Sequence, residues 1–279
     1  MLDVLTVNYK SGNGPAEFVR SLKNTGFAVL NSHPIEMDLV ENIYDEWQAF
    51  FNTNKKYDYQ FHPVKQDGYF PYKSENAKGY KTKDLKEFYH IYPWGRYPEE
   101  LSQQTRVLYT QLVNMATELL KWIETGTPKE ISSKFSMHLS EMVIESPQNL
   151  MRIIHYPALS GDEEQDAVRA AAHEDINLIT LLCAGSQPGL QVQDIQGSWI
   201  DVDCDPGTIV VNSGDMLQMC SEGYYPSTTH RVINPDGVIE NKPRFSLPLF
   251  LHPKDDVQLS EKHTAGSYLF ERLQEIGLK

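Results

Sequence analysis

Apolar positions recur at helical spacing in the first half of the chain and at strand spacing in the second. In "PAEFVRSLKNTG", Phe18, Val19 and Leu22 make one stripe, Pro15 suits a helix start and Gly26 a stop, so a helix is predicted there. A short strand, "FAVLNS", should follow. "MDLVENIYDEWQAFFN" places Leu39, Ile43, Trp47 and Phe50 or Phe51 on one side of a second helix. Residues 53–100 keep no sustained period and are rich in Tyr, Lys, Gly and Pro. They read as long loops with short elements, either ordered cover or the wall of a substrate pocket. The longest helix is predicted over "LSQQTRVLYTQLVNMATELLKWIE", where Val107 or Leu108, Leu112, Met115, Leu119 and Trp122 or Ile123 form a face to bury.

After residue 148 the pattern shortens to "LMRIIHYP", "NLITLLCAG", "GLQVQD", "SWIDVD", "TIVVNSGDMLQ", "THRVIN" and "RFSLPLFLHP". Each reads as a strand, and Gly161, Gly185, Gly189, Gly197, "DPG" at 205–207, Gly214 and "NPDG" at 234–237 mark the turns between them. Many short strands after a helical half predict a sandwich or jelly roll flanked by helices. "TAGSYLFERLQEIGL" should close the chain as a helix with Leu269, Leu273 and Ile276 on one side.

Composition narrows the setting. A chain of 279 residues can bury a substantial core without staples. Cys183, Cys204 and Cys220 are too few and too unevenly spaced for a disulfide framework, which favours a reducing compartment and makes cytoplasm the expected location. The start "MLDVLTVNYKSGNGP" lacks a secretory pattern and no later run approaches bilayer length, so a soluble protein without a membrane partner is expected. With 25 basic against 38 acidic residues the net charge is −13, which argues against nucleic acid as a partner. A locally basic stretch, Lys55, Lys56, Lys65, Lys73, Lys78, Lys81, Lys83 and Lys86, reads as solvated surface or as an attractor for an anionic substrate or cosubstrate.

The chemistry centres on "AAHEDINLIT". In an extended segment His173 and Asp175 point to the same side while Glu174 points away, so the pair can meet one metal atom. His230, in the strand-like "STTHRV", can complete the set. Two imidazoles and one carboxylate on one face of an octahedron leave three positions open, the arrangement of non-haem Fe(II) oxygenases. A H-x-D triplet alone also occurs on surfaces and in satisfied cores. "HEDIN" lacks the second histidine of a zinc H-E-x-x-H helix, and His138 with Glu141 has no partner helix for a di-iron site, so His138 reads as structural. In "KPRFSLPLF", Arg244 and Ser246 share one side of a strand and can hold a carboxylate if they face inward. Pro248 leaves open the alternative of an exposed edge strand.

In their order these segments resemble the isopenicillin N synthase-like branch of the Fe(II)- and 2-oxoglutarate-dependent oxygenases. The likeness begins with "TGFAVLNSHPI", continues through "AKGYKTKDLKEFYHI" and is densest in "HEDINLITLL", "GLQV", "SWIDVDCDPGTIVVNSGDMLQ", "SEGYYPSTTHRV" and "RFSLPLF". It implies a mixed α and β fold: a double-stranded β-helix (jelly-roll) core with flanking helices and an N-terminal α/β region. Residues 1–100 would cover the core, and residues 101–279 would supply the long support helix, the catalytic core and the C-terminal helix. It further implies iron on His173, Asp175 and His230, and the distal carboxylate of 2-oxoglutarate on Arg244 and Ser246 with help from Tyr156 of "MRIIHYP". Ile154 departs from the family pattern, which often has asparagine there, and removes one polar contact near the cosubstrate.

The implied reaction consumes dioxygen and 2-oxoglutarate, releases succinate and CO2, and oxidises a C–H bond of a small molecule by hydroxylation, desaturation or cyclisation. Ascorbate is a candidate reductant. The nearest alternative is an Fe(II) oxidase of the same fold that does not use 2-oxoglutarate, and a remoter one is a non-catalytic jelly-roll binding protein, for which the three intact ligands speak poorly. Cupin-type metal proteins commonly use more histidines and lack the Arg-x-Ser pair. Tyr69, Tyr72, Lys86, Phe88, His90 and Arg96 are the candidates for the pocket wall, with a small polar molecule or a natural-product intermediate as substrate.

Overall fold

Strand alternation in the second half and helical stripes in the first sort into layers in the computed structural model, which describes residues 4–75, 82–183, 187–202, 205–235 and 240–275. The first half contains β1 (Thr6–Asn8), α1 (Gly14–Thr25), β2 (Phe27–Asn31), α2 (Met37–Phe51), a 3-10 segment (Asn54–Tyr59), β3 (Gly68–Phe70), β4 (Glu87–Ile91) and α3 (Gln104–Gly126). Two short helices, α4 (Lys129–Ser132) and α5 (Leu139–Val143), lead to β5 (Leu150–Tyr156), β6 (Ala170–His173), β7 (Ile179–Cys183), β8 (Leu190–Gln193), β9 (Trp199–Asp201) and β10 (Ile209–Ser213). The chain then forms α6 (Asp215–Cys220), β11 (His230–Val232), β12 (Arg244–Leu251) and α7 (Ala265–Glu275). Lys78, Lys81, Gly185, Cys204, Ile276 and part of "NPDG" lie outside the described residues.

An eight-stranded sheet runs β1-β2-β10-β7-β12-β5-β4-β3 and a four-stranded sheet runs β6-β11-β8-β9, the two layers of a jelly roll. Period-2 alternation gives the large sheet two apolar faces. Ile179, Leu181, Ile153, Leu247 and Leu249 face the helices, packing with Leu108, Leu112 and Leu119 of α3. Phe27, Val29, Val210, Ile154 and Phe88 face the small sheet, meeting Val192, Val202 and Val232. The segment before residue 100 therefore supplies four of the eight strands.

Local sequence explains most boundaries. Gly26 ends α1 in the left-handed region, φ 72°, where a Cβ would lie 2.3 Å from Thr228 Oγ1. That contact packs the α1–β2 turn onto the loop that precedes His230. Along α2 the buried stripe is Val40, Ile43, Trp47, Phe50 and Phe51, with Val40 taking the place expected of Leu39. "TIVVNSGDMLQ" is not one strand: it breaks at Gly214, and "DMLQMC" turns helical. The edge-strand alternative for "RFSLPLF" is excluded, because β12 lies between β5 and β7. The basic stretch is not all solvated surface either. Lys86 is buried against Glu75 and Asp84 at 3.0 and 2.8 Å, and Lys56 meets Glu87 at 2.9 Å.

Three imidazoles, those of His90 and His252 buried and that of His173 partly so, make stability depend on pH. Burial lowers His90 well below 6.5 and takes His252 and His173 to about 4. Because these folded-state values lie below the unfolded one, the unfolded chain binds more protons in between, so stability is full above about pH 6.5 and is lost as pH falls toward 4. His252 alone should contribute about 3 kcal/mol to that loss. Urea unfolding at pH 7 and pH 4.5 should show a steep decline that His252→Gln flattens; an unchanged slope in the variant contradicts the assignment.

Candidate active site

His173 ends β6 and His230 begins β11, and the two pair directly across the antiparallel ladder. Their rings lie 4.4 Å apart between centroids. Asp175 follows two residues after His173, with Oδ1 at 3.9 Å from His173 Nε2 and 3.8 Å from His230 Nε2. One ligand atom from each of the three residues falls within 4.8 Å of the others, the one such cluster among the described residues. Glu174 turns away and accepts a hydrogen bond from Thr229 Oγ1.

The donor set fits a metal in its tautomers and lone pairs. Each Nδ1 lies beside a backbone carbonyl two residues back, His173 to Ala171 at 2.7 Å and His230 to Thr228 at 3.1 Å. A carbonyl only accepts, so Nδ1 carries the proton and Nε2 keeps its lone pair for the metal. Asp175 Oδ2 accepts from Thr180 Oγ1 at 2.5 Å and Asn212 Nδ2 at 2.8 Å, which aims Oδ1 at the imidazoles. Gly214 leaves no room for a side chain behind this turn, since a Cβ there would lie 2.8 Å from the Asp175 carbonyl oxygen.

Electrostatics supports the same protonation states. Burial, then His230, pushes His173 down to about 4, although 38 % of its side chain stays exposed. It is neutral at pH 7. Burial alone would raise Asp175, but His230 and His173, with Asn212 and Thr180, hold it below the usual carboxylate range. Imidazole neutral and carboxylate charged is the state that binds a divalent cation.

A second polar feature lies on the inner face of the large sheet. Arg244 pairs with Tyr156 and Ser246 with Ile154 between β12 and β5. Both Arg244 and Ser246 are buried, at 1 and 3 % exposure. Arg244 donates from Nη1 to Ser246 Oγ at 2.6 Å and from Nε to the Gln187 carbonyl at 2.9 Å, and its guanidinium sits 5.4 Å from the centre of the Tyr156 ring. No carboxylate pairs with it among the described residues, so this guanidinium is a buried cation awaiting an anion.

Of the expected pocket wall, Lys86, Phe88 and His90 fall near this space, while Tyr69 and Arg96 do not. Tyr69 lies in the helix-side core and donates to Glu87 at 2.6 Å, and Arg96 is tied to Asp67 at 2.9 Å. Tyr72 is 40 % exposed. Sequence reasoning missed Arg152, which stacks 4.3 Å from Phe88, donates to His90 Nε2 at 2.8 Å and pairs with Glu75 at 3.1 Å. Its spacing two and four residues before Ile154 and Tyr156 was the available signal. Thr180 and Asn212, which orient Asp175, were missed because their partner lies on another element. His138, expected to be structural, is exposed, bonded to Glu124 at 2.6 Å and no part of the triad.

Comparison with known proteins adds to this geometry. Residues 147–253 match the model of the 2OG-Fe(II) oxygenase superfamily, and residues 15–111 match that of the non-haem dioxygenase in morphine synthesis N-terminal region. A protein of Shewanella oneidensis, solved as a candidate oxygenase, is 52 % identical, with TM-score 0.90 over 99 % of this chain and 100 % of that one. A full-length protein of Neurospora crassa, solved in complex with alpha-KG, is 25 % identical, with TM-score 0.79 over 96 and 95 % of the two chains. A curated 2-oxoglutarate-dependent dioxygenase of Didymella fabae is 28 % identical over 92 % of this chain and 84 % of its own. The metal-ready triad, the jelly roll around it and an end-to-end relative at 52 % identity agree that the chain belongs to the Fe(II)- and 2-oxoglutarate-dependent oxygenases, oxidoreductases that use iron, 2-oxoglutarate and dioxygen.

Proposed function

We propose that His173, Asp175 and His230 hold the iron, that Arg244, Ser246 and Tyr156 receive the distal carboxylate of 2-oxoglutarate, and that the oxidised substrate is a small polar molecule. The observation that carries this reading is the joint presence, between the two sheets, of three ligand atoms with free lone pairs and a buried guanidinium lacking an acidic partner. Iron with 2-oxoglutarate supplies the oxidising chemistry, in which succinate and CO2 leave and a substrate C–H bond is oxidised, by hydroxylation as the default outcome. The chain's part is positioning. Thr180 and Asn212 fix the Asp175 carboxylate, the Ala171 and Thr228 carbonyls fix the two imidazole tautomers, and Phe27, Phe88, Ile154 and Val210 keep water from the inner face.

A polar substrate suits the wall made by Arg152, His90, Lys86, Glu75 and Asp84, where two cations and two carboxylates lie beside the neutral His90 ring. The net charge of −13 speaks against a nucleic-acid partner. No helix among the described residues is long and apolar enough to cross a membrane. Three cysteines in 279 residues support a reducing, cytoplasmic setting, and of these Cys183 and Cys220 are free and buried, with thiols pushed up to about 12 by burial. The test is a screen of small polar molecules for stimulated succinate release from 2-oxoglutarate with Fe(II) in air. A true substrate is oxidised in step with succinate; oxidation that proceeds equally without 2-oxoglutarate contradicts the coupling.

A further inference from the structure

Arg169 is the largest unexplained charge in the molecule. It is fully buried, at 0 % exposure, yet its Nε and Nη1 have no hydrogen-bond partner among the described residues. Unpaired buried guanidinium donors are costly, and a side chain as long as arginine could ordinarily reach water or a carboxylate instead. What holds it inside is Nη2, which donates to the Lys242 carbonyl at 2.7 Å. Lys242 lies two residues before Arg244.

Several bonds gather at this end of the barrel. The Arg169 amide donates to Asn234 Oδ1 at 3.0 Å, and Val232 pairs with Ala170. Ile233 donates to the Gly189 carbonyl at 3.0 Å, and Gln187, two residues earlier, accepts from Arg244 Nε at 2.9 Å. Arg169 and Arg244 are thus fastened to neighbouring segments beside Tyr156. Their electrostatics agrees: burial, then Arg244, lowers the proton affinity of Arg169, and Tyr156 opposes the change. Neither arginine has a carboxylate partner among the described residues. Two buried like charges in one corner, one with two idle donors, require an anion between them more strongly than either does alone.

We propose that Arg169 is a second cation of the 2-oxoglutarate site, donating from Nε and Nη1 to the same distal carboxylate as Arg244 and Ser246. The inference rests on the cosubstrate reading above and adds a residue and a selectivity to it. With two guanidinium groups at the far end, the site discriminates against 2-oxo acids that lack the distal carboxylate. 2-Oxovalerate has the same 2-oxo acid head and replaces only that carboxylate with a methyl group.

The test is anaerobic titration calorimetry of the Fe(II)-loaded protein with 2-oxoglutarate and with 2-oxovalerate. Arg169→Gln should weaken 2-oxoglutarate by about 10- to 100-fold, the range of one charge-assisted contact, while leaving 2-oxovalerate within about twofold. Arg169→Lys keeps the charge, should fall between wild type and glutamine, and serves if the glutamine variant does not fold. Equal losses for the two ligands in either variant, or wild-type affinity for 2-oxoglutarate in both, overturn the inference. Failure of the wild-type protein to bind 2-oxoglutarate would strike the cosubstrate reading itself, whereas normal wild-type binding without the difference between ligands strikes only the role of Arg169.

Discussion

Asp175→Ala abolishes turnover and weakens Fe(II) binding by more than the roughly 10- to 100-fold that loss of an outer-sphere partner costs a metal site. The carboxylate is one of three ligands, and its Oδ1 lies within 3.9 Å of both Nε2 atoms. The fold should survive. Without iron, the carboxylate is tied locally to Thr180 and Asn212, and Asn177 Nδ2 already donates to Thr180 Oγ1 at 3.0 Å. The cost in stability is that of orphaning two buried hydroxyl and amide donors, on the order of 1–3 kcal/mol. Anaerobic equilibrium dialysis against Fe(II), with a circular-dichroism melt of the same sample, separates the two effects. Turnover at the wild-type rate would sink the iron assignment.

Arg244→Gln should act on the cosubstrate and leave iron in place. Glutamine keeps a donor near Ser246 and avoids the large cavity that alanine would leave at a site 1 % exposed. It removes the cation facing the distal carboxylate, worth about 1.5–3 kcal/mol for hydrogen bonds to charged groups, or a rise of roughly 10- to 100-fold in the 2-oxoglutarate requirement. Iron content should match wild type, because Arg244 shares no bond with His173, Asp175 or His230. An unaltered 2-oxoglutarate dependence would assign the guanidinium to a different anion.

The two substitutions rest on parts of the site that differ in how legible they were. His173 and Asp175 could be paired from spacing alone, because i and i+2 share a face of an extended chain. The ladder then sets His230 directly opposite His173. Arg244 and Ser246 followed from the same rule; β12 proves an inner strand despite Pro248, and the two side chains are buried beside Tyr156 and Ile154 on the face toward the small sheet. The jelly roll and its flanking helices were readable because α1, α2 and α3 carry clear stripes and β5, β7, β8 and β12 lie between turn residues.

What stayed hidden is non-local. Thr180 and Asn212 matter only because β7 and β10 bring them to Asp175, and Arg169 only because the residue before β6 meets Lys242, just before β12. Strand β6, read as extended only through its histidine, is otherwise three alanines with no alternation to detect. The valines of β10 masked the helix after Gly214. Charge misled in the opposite direction: Lys56 and Lys86 looked like solvated surface until Glu87, Glu75 and Asp84 were seen to neutralise them inside. Composition carries no information about which carboxylate a lysine meets.

The central claim is that one site holds both iron and 2-oxoglutarate, and anaerobic titration of the Fe(II)-loaded protein with 2-oxoglutarate tests it most directly. The account predicts a weak visible charge-transfer band that saturates at one equivalent of cosubstrate in the wild-type protein, needs far more in Arg244→Gln and is missing in Asp175→Ala. Absence of the band in folded, iron-replete wild-type protein would contradict it.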